Sequence, residues 1–262
     1  MALVAGALAT GGTFALPAVQ PVVAAEGAAQ TCNIPAKLAR LDYPLSRTAR
    51  RIAAGQGLTI VALGSSSTQG AGASSPAKTY PSQLAVYLQR RFPTLPITVF
   101  NRGVGGEEAG DMLARMDRDV LSAKPDLVIW QIGTNSVLRD RPLPPHAQLI
   151  SRGLKRFKEL GLDVVLIDPQ FAPKVITKGE TEGMLELIAR AAKEHNVDLF
   201  HRFDLMRRWQ QTDGLAFVNF VSPDGLHMND WSYACVAKVL GTAIAEAAMR
   251  PIESASAKTP GH

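Results

Sequence analysis

Five short apolar runs alternate along this chain with longer stretches of helical period. Residues 58–63, 97–100, 126–132, 163–167 and 197–200 are rich in Val, Ile and Leu and are bounded by turn residues, so each predicts a strand. The run at 126–132 is almost wholly apolar, as suits a central strand covered on both faces. In 80–92 the apolar positions are Leu84, Val86, Leu88 and Phe92; in 107–123 they are Met112, Leu113, Met116, Val120 and Leu121. Both segments read as helices, the first stopped by Pro93. Further helices are expected over 146–160, capped by Gly161, and over 181–195, 204–210 and 229–249. Strand and helix alternate throughout, the order that builds a parallel sheet. The expected fold class is α/β: a three-layer α/β/α sandwich with a central five-stranded parallel sheet.

The remaining segments organise the chain around that unit. Residues 26–56 read as an N-terminal arm with helical pieces at 36–41 and 45–54, and 57–249 as the main domain. Loops are expected at 66–78, rich in Gly, Ala and Ser, at the proline-rich 139–146, and at 168–173. Residues 250–262 read as a frayed tail. Residues 1–25 carry no charge and end in Val23-Ala24-Ala25, a small-residue boundary that predicts an export signal cut after Ala25, although a basic leading region is missing. Pro17, Pro21 and several glycines argue against a stable membrane span there. The expected location is therefore periplasmic or secreted. In such an oxidising compartment the two cysteines, Cys32 and Cys235, are expected to pair.

Composition narrows the function classes. The 262 residues are 46% hydrophobic, enough for one ordinary core. The net charge of +5 is spread over isolated pairs such as Arg50-Arg51 and Arg90-Arg91, with no basic stripe, so nucleic acid is not an expected partner. No Cys/His spacing resembles a zinc site, and no metal or organic cofactor is expected.

Four short segments carry the candidate chemistry. Three follow the first three strand-like runs: Gly64-Ser65-Ser66-Ser67-Thr68, Asn101-Arg102-Gly103-Val104-Gly105-Gly106 and Gly133-Thr134-Asn135. In an open parallel sheet, strand ends of this kind deliver their residues to one edge. The fourth, Asp224-Gly225-Leu226-His227, places a carboxylate three residues before an imidazole, close enough to orient the ring. A serine hydroxyl needs such a base to become a nucleophile. A glycine N–H and an asparagine amide can hold a developing oxyanion without adding charge. Other readings of single segments fail on sequence. A phosphate cradle lacks its Gly-Lys-Ser/Thr, the Gly-x-Ser-x-Gly elbow has Thr68 where its second glycine belongs, and a dinucleotide fingerprint would need a glycine or alanine at Glu108.

Taken in order, the four segments resemble the blocks of the SGNH (GDSL-type) hydrolase superfamily. Gly64 to Gly70 looks like its Gly-Asp-Ser-x-Thr-x-Gly block, Asn101 to Gly106 like the second, Gly133 to Asn135 like the third, and Asp224 to His227 like the last. The resemblance covers about residues 57–248 and implies a flavodoxin-like fold. It also implies a catalytic Ser66, His227 and Asp224, with an oxyanion hole made by the backbone of Ser66 and Gly106 and the side chain of Asn135. Ser65 stands where the family has an acidic residue and Ser136 where it has Asp, and neither is given an obligatory role. The function implied is an exported serine esterase or acyl hydrolase acting on a lipid, a small ester or an O-acetylated carbohydrate. The alternative is an SGNH-like glycan O-acyltransferase or a non-catalytic glycan-binding domain. The expected partner is a small-molecule or glycan ester.

Overall fold

The computed structural model describes Met1, residues 31–33 and residues 35–250. The expected signal at 1–25, apart from Met1, and the tail beyond Arg250 lie outside the described residues. The chain divides into two compact units, Met1–Cys32 and Asn33–His262, and the fold is that of the second.

Its strands are Leu58–Gly64 (β1), Ile97–Gly103 (β2), Leu127–Gln131 (β3), Asp163–Ile167 (β4) and Asp198–Phe200 (β5). All pair in parallel, in the order β2-β1-β3-β4-β5. β3 is buried at every position and β1 at all but Thr59, which is why their sequences run apolar instead of alternating. The helices, in chain order, are Ser46–Ala53 (α1), Ser66–Gln69 (α2), Tyr80–Arg91 (α3), Ala109–Ala114 (α4), Met116–Asp119 (α5), Thr134–Leu138 (α6), Leu143–Glu159 (α7), Pro173–Ile176 (α8), Thr181–His195 (α9), Arg202–Gln211 (α10) and Asp230–Met249 (α11). α11 packs on α3 and α1, and α7 packs on α4 and α9. These two groups make the outer layers of the expected three-layer sandwich. The chain leaves β1 toward β2 and then returns to the other side of β1 with β3. The crevice at the carboxyl ends of β1 and β3 is therefore the switch point where such sheets bind ligands.

Several elements differ from expectation for local reasons. The helix expected over 107–123 breaks at Arg115 (φ −108°, ψ 8°). The Arg115 guanidinium is buried and reaches Glu107, Asp119 and the carbonyls of Gly64 and Arg102, so the backbone follows the side chain and not the period. The expected loop at 66–78 contains α2 and a short 3-10 turn at Pro76–Lys78. The piece at 36–41 is one turn, with the Leu38 and Ala39 N–H groups both on the Pro35 carbonyl; Pro44 follows too soon for it to grow. α7 starts at Leu143, inside the expected proline-rich loop, because Pro144 and Pro145 fall in its first turn, where no N–H is needed.

Candidate active site

β1 ends at Gly64 and α2 opens on Ser66. The turn between them leaves no space for a side chain at 64: a Cβ there would stand 2.1 Å from Thr68 Oγ1 and 2.8 Å from Gln131 Oε1. Gln131 closes β3, and its Oε1 accepts the Ser65 N–H at 2.9 Å, the Ser65 hydroxyl at 3.1 Å and the Thr68 hydroxyl at 3.2 Å. Ser65 is thereby buried and fixed, whereas Ser66 keeps access to solvent.

The Ser66 hydroxyl lies 2.8 Å from Nε2 of His227. Across the ring, His227 Nδ1 bonds to Asp224 Oδ2. The other carboxylate oxygen accepts the Ser222 hydroxyl at 2.7 Å and the N–H groups of Leu226 and His227 at 2.9 Å each. Ser222 N–H also donates to the His227 carbonyl at 2.7 Å, which closes the loop on itself. Burial acts to raise the Asp224 carboxyl, but the donors from His227, Ser222 and Leu226 outweigh it and hold it well below the usual carboxylate range. A permanent carboxylate in this place favours the tautomer with its proton on Nδ1, which leaves Nε2 free to accept from the serine.

The second and third segments meet beside this chain of hydrogen bonds. A Cβ on Gly105 would be 4.0 Å from Ser66 Cβ, so the 105–106 backbone runs past the serine. Gly106 has φ +80°, a left-handed conformation that favours glycine. Two side chains pin the peptides that follow it. Arg139 Nη2 donates to the Gly106 carbonyl and Asn135 Nδ2 to the Glu107 carbonyl, both at 2.8 Å. An amide nitrogen carries two N–H groups, so Asn135 keeps one for a ligand. Arg139 also pairs with Glu108 at 2.6 Å, and the Ser136 hydroxyl donates to Glu108 at 3.2 Å. Burial acts to raise Glu108, but the bonds from Arg139 and Ser136 prevail and lower it. His146, buried beside them, is lowered by desolvation.

The structure thus brings Ser66, Asp224 and His227 into one hydrogen-bonded chain and sets Gly106 and Asn135 next to each other through the Glu107 carbonyl. Sequence reasoning missed the groups that hold these residues: Gln131, Arg139, Glu108 and Arg115. Gln131 had a signal, a lone polar residue within an apolar strand; the others have none. Ser65 and Ser136, where the chain departs from the SGNH pattern, both turn out to be supports. Both Cys32 and Cys235 are disulfide-bonded. Among the described residues, no group of His, Cys, Asp and Glu could hold a metal ion, and no helix is long and apolar enough to cross a membrane.

Comparison with known proteins gives consistent results. The Non-GDSL lipase-like family matches residues 31–250. An acetylxylan esterase of Geobacillus stearothermophilus is 40% identical over 65 residues, which is 25% of this chain and 30% of that protein. An arylesterase of Vibrio mimicus is 27% identical over 123 residues, 45% of this chain and 61% of that protein. The chain therefore spans less than two thirds of either relative. The crystal structure of a two-domain esterase active on acetylated mannans is similar with a TM-score of 0.71 at 23% identity, covering 86% of this chain and 59% of that one. At that identity the likeness speaks for the fold.

Proposed function

The chain belongs to the Non-GDSL lipase-like family of SGNH-type hydrolases, and we propose that it is an exported serine esterase that removes small acyl groups, acetyl foremost, from a carbohydrate. The observation that carries this reading is the unbroken chain from Ser66 through His227 to Asp224 at the sheet's switch point. The acetylated-glycan esterases among its relatives and structural neighbours support the substrate class. The disulfide-bonded cysteines support export to the periplasm or beyond.

The geometry supports the following course of reaction. Ser66 Oγ attacks the ester carbonyl as its proton passes to His227 Nε2. The negative charge that develops on the carbonyl oxygen is held by the N–H groups of Ser66 and Gly106 and by the Asn135 amide. Asp224 stabilises the imidazolium through Nδ1. The C–O bond to the sugar breaks, and His227 returns the proton to the departing alcohol oxygen. Water, deprotonated by His227, then attacks the acyl-serine carbonyl; the bond to Ser66 Oγ breaks, His227 returns its proton to Oγ, and the carboxylic acid leaves.

Acetate release from acetylated xylan or mannan tests the proposal. The wild type should liberate acetate and Ser66→Ala should not. A wild type that transfers acetyl to an added glycan without net acetate, or that binds glycan and leaves every ester intact, would contradict it in favour of the transferase or the binding domain respectively.

A further inference from the structure

Three of the four candidate segments converge on one buried amide that belongs to none of them. Gln170 lies in the loop after β4 and is completely buried. Its Oε1 accepts the Thr134 hydroxyl at 3.0 Å, Arg202 Nη2 at 3.0 Å and the Ser67 hydroxyl at 3.4 Å. Its Nε2 donates to the Leu226 carbonyl at 3.3 Å. Three of these partners are chain neighbours of site residues: Ser67 follows Ser66, Thr134 precedes Asn135, and Leu226 precedes His227. The fourth, Arg202, is itself buried and anchored by Nε and Nη2 on the Asp168 carbonyl at 3.0 and 2.6 Å. With donors gathered on Oε1, the amide cannot flip without opposing N–H to N–H, so its Nε2 is committed to Leu226. Gln131 is a hub of a different kind, since its three bonds all go to the nucleophile turn.

We propose that Gln170 is a positioning residue that sets the nucleophile, oxyanion and histidine segments in register with one another. The inference rests on the esterase reading above. The Ser66–His227 bond joins segments far apart in sequence, and Gln170 spans both. A loosened Leu226 carbonyl lets the imidazole drift from the serine, which slows proton transfer without removing any substrate contact.

The variant Gln170→Glu separates this role from simple packing. It keeps the size of the side chain and the acceptors for Arg202, Thr134 and Ser67, and its charge faces a guanidinium. As a carboxylate it has no N–H for Leu226. Steady-state kinetics on an acetyl ester should show kcat at least tenfold lower with KM within twofold of wild type, and a melting temperature within a few degrees of wild type. Gln170→Met, which loses every bond, should lower both kcat and melting temperature. A folded Gln170→Glu protein with kcat within twofold of wild type overturns the inference. If that variant does not fold, Thr134→Val decides: a kcat reduced at least threefold at unchanged KM supports the role, and an unchanged kcat overturns it. A wild type without ester turnover would instead refute the esterase reading, before any Gln170 variant is measured.

Discussion

A serine becomes a nucleophile only when a neighbouring base can take its proton, and the base proposed for Ser66, His227 Nε2, is 2.8 Å away. Ser66→Ala and His227→Ala should each lower kcat by several orders of magnitude. The double variant should lose little more, because the two groups act as a unit; steady-state rates on one ester check this. Asn135 places one N–H on the Glu107 carbonyl, and in the proposed mechanism its other N–H holds the oxyanion. Asn135→Ala should therefore cost about 10²–10³ in kcat, roughly 2.7–4 kcal/mol, with a smaller change in KM. A rise in KM alone would assign Asn135 to ground-state binding. At this scale the local motifs were legible because each is contiguous: Asp224 and His227 are three residues apart and meet within one loop. Gln131 and Gln170 were not, because their partners come from other parts of the chain and exist only once the sheet has formed.

Among the elements, the inner strands β1 and β3 were the most legible, since burial on both faces demands apolar runs. The helices were less so where a single side chain overrides the period, as Arg115 does between α4 and α5. β5 illustrates a further effect that a hydrophobic pattern does not reveal. Its first residue, Asp198, is buried and accepts the Tyr43 N–H, from the segment before α1, at 2.9 Å. Burial pushes its carboxyl up to about 6, against the pull of the backbone donors from Tyr43 and Asp42. A carboxyl raised on folding gives stability that is fully present below its unfolded value and is lost as pH rises through about 6. Asp198→Asn keeps an acceptor for Tyr43 and removes this titration. Denaturant melts should show the variant gaining on the wild type between pH 4 and 7, by on the order of 2 kcal/mol. A difference that does not change with pH would show that Asp198 does not titrate in this way.

For the whole molecule, the order β2-β1-β3-β4-β5 explains why segments scattered from 64 to 227 reach one place. The ends of β1, β2 and β3 lie side by side, and the connection between α10 and α11 returns over them with Asp224 and His227. If the chain matures outside the cytoplasm, thiol titration of the native exported protein should find no free thiol, and reduction under denaturing conditions should release two. Two reactive thiols in the native protein would contradict the oxidised state.

Everything proposed for this site depends on Ser66, activated by His227, acting as the nucleophile. A fluorophosphonate probe followed by peptide mass mapping tests that role most directly. One adduct per chain is expected, on Ser66, with labelling slowed at least a hundredfold in His227→Ala. A wild type that hydrolyses acetyl esters while its label falls on another residue, or a folded Ser66→Ala protein that still hydrolyses them, would contradict it.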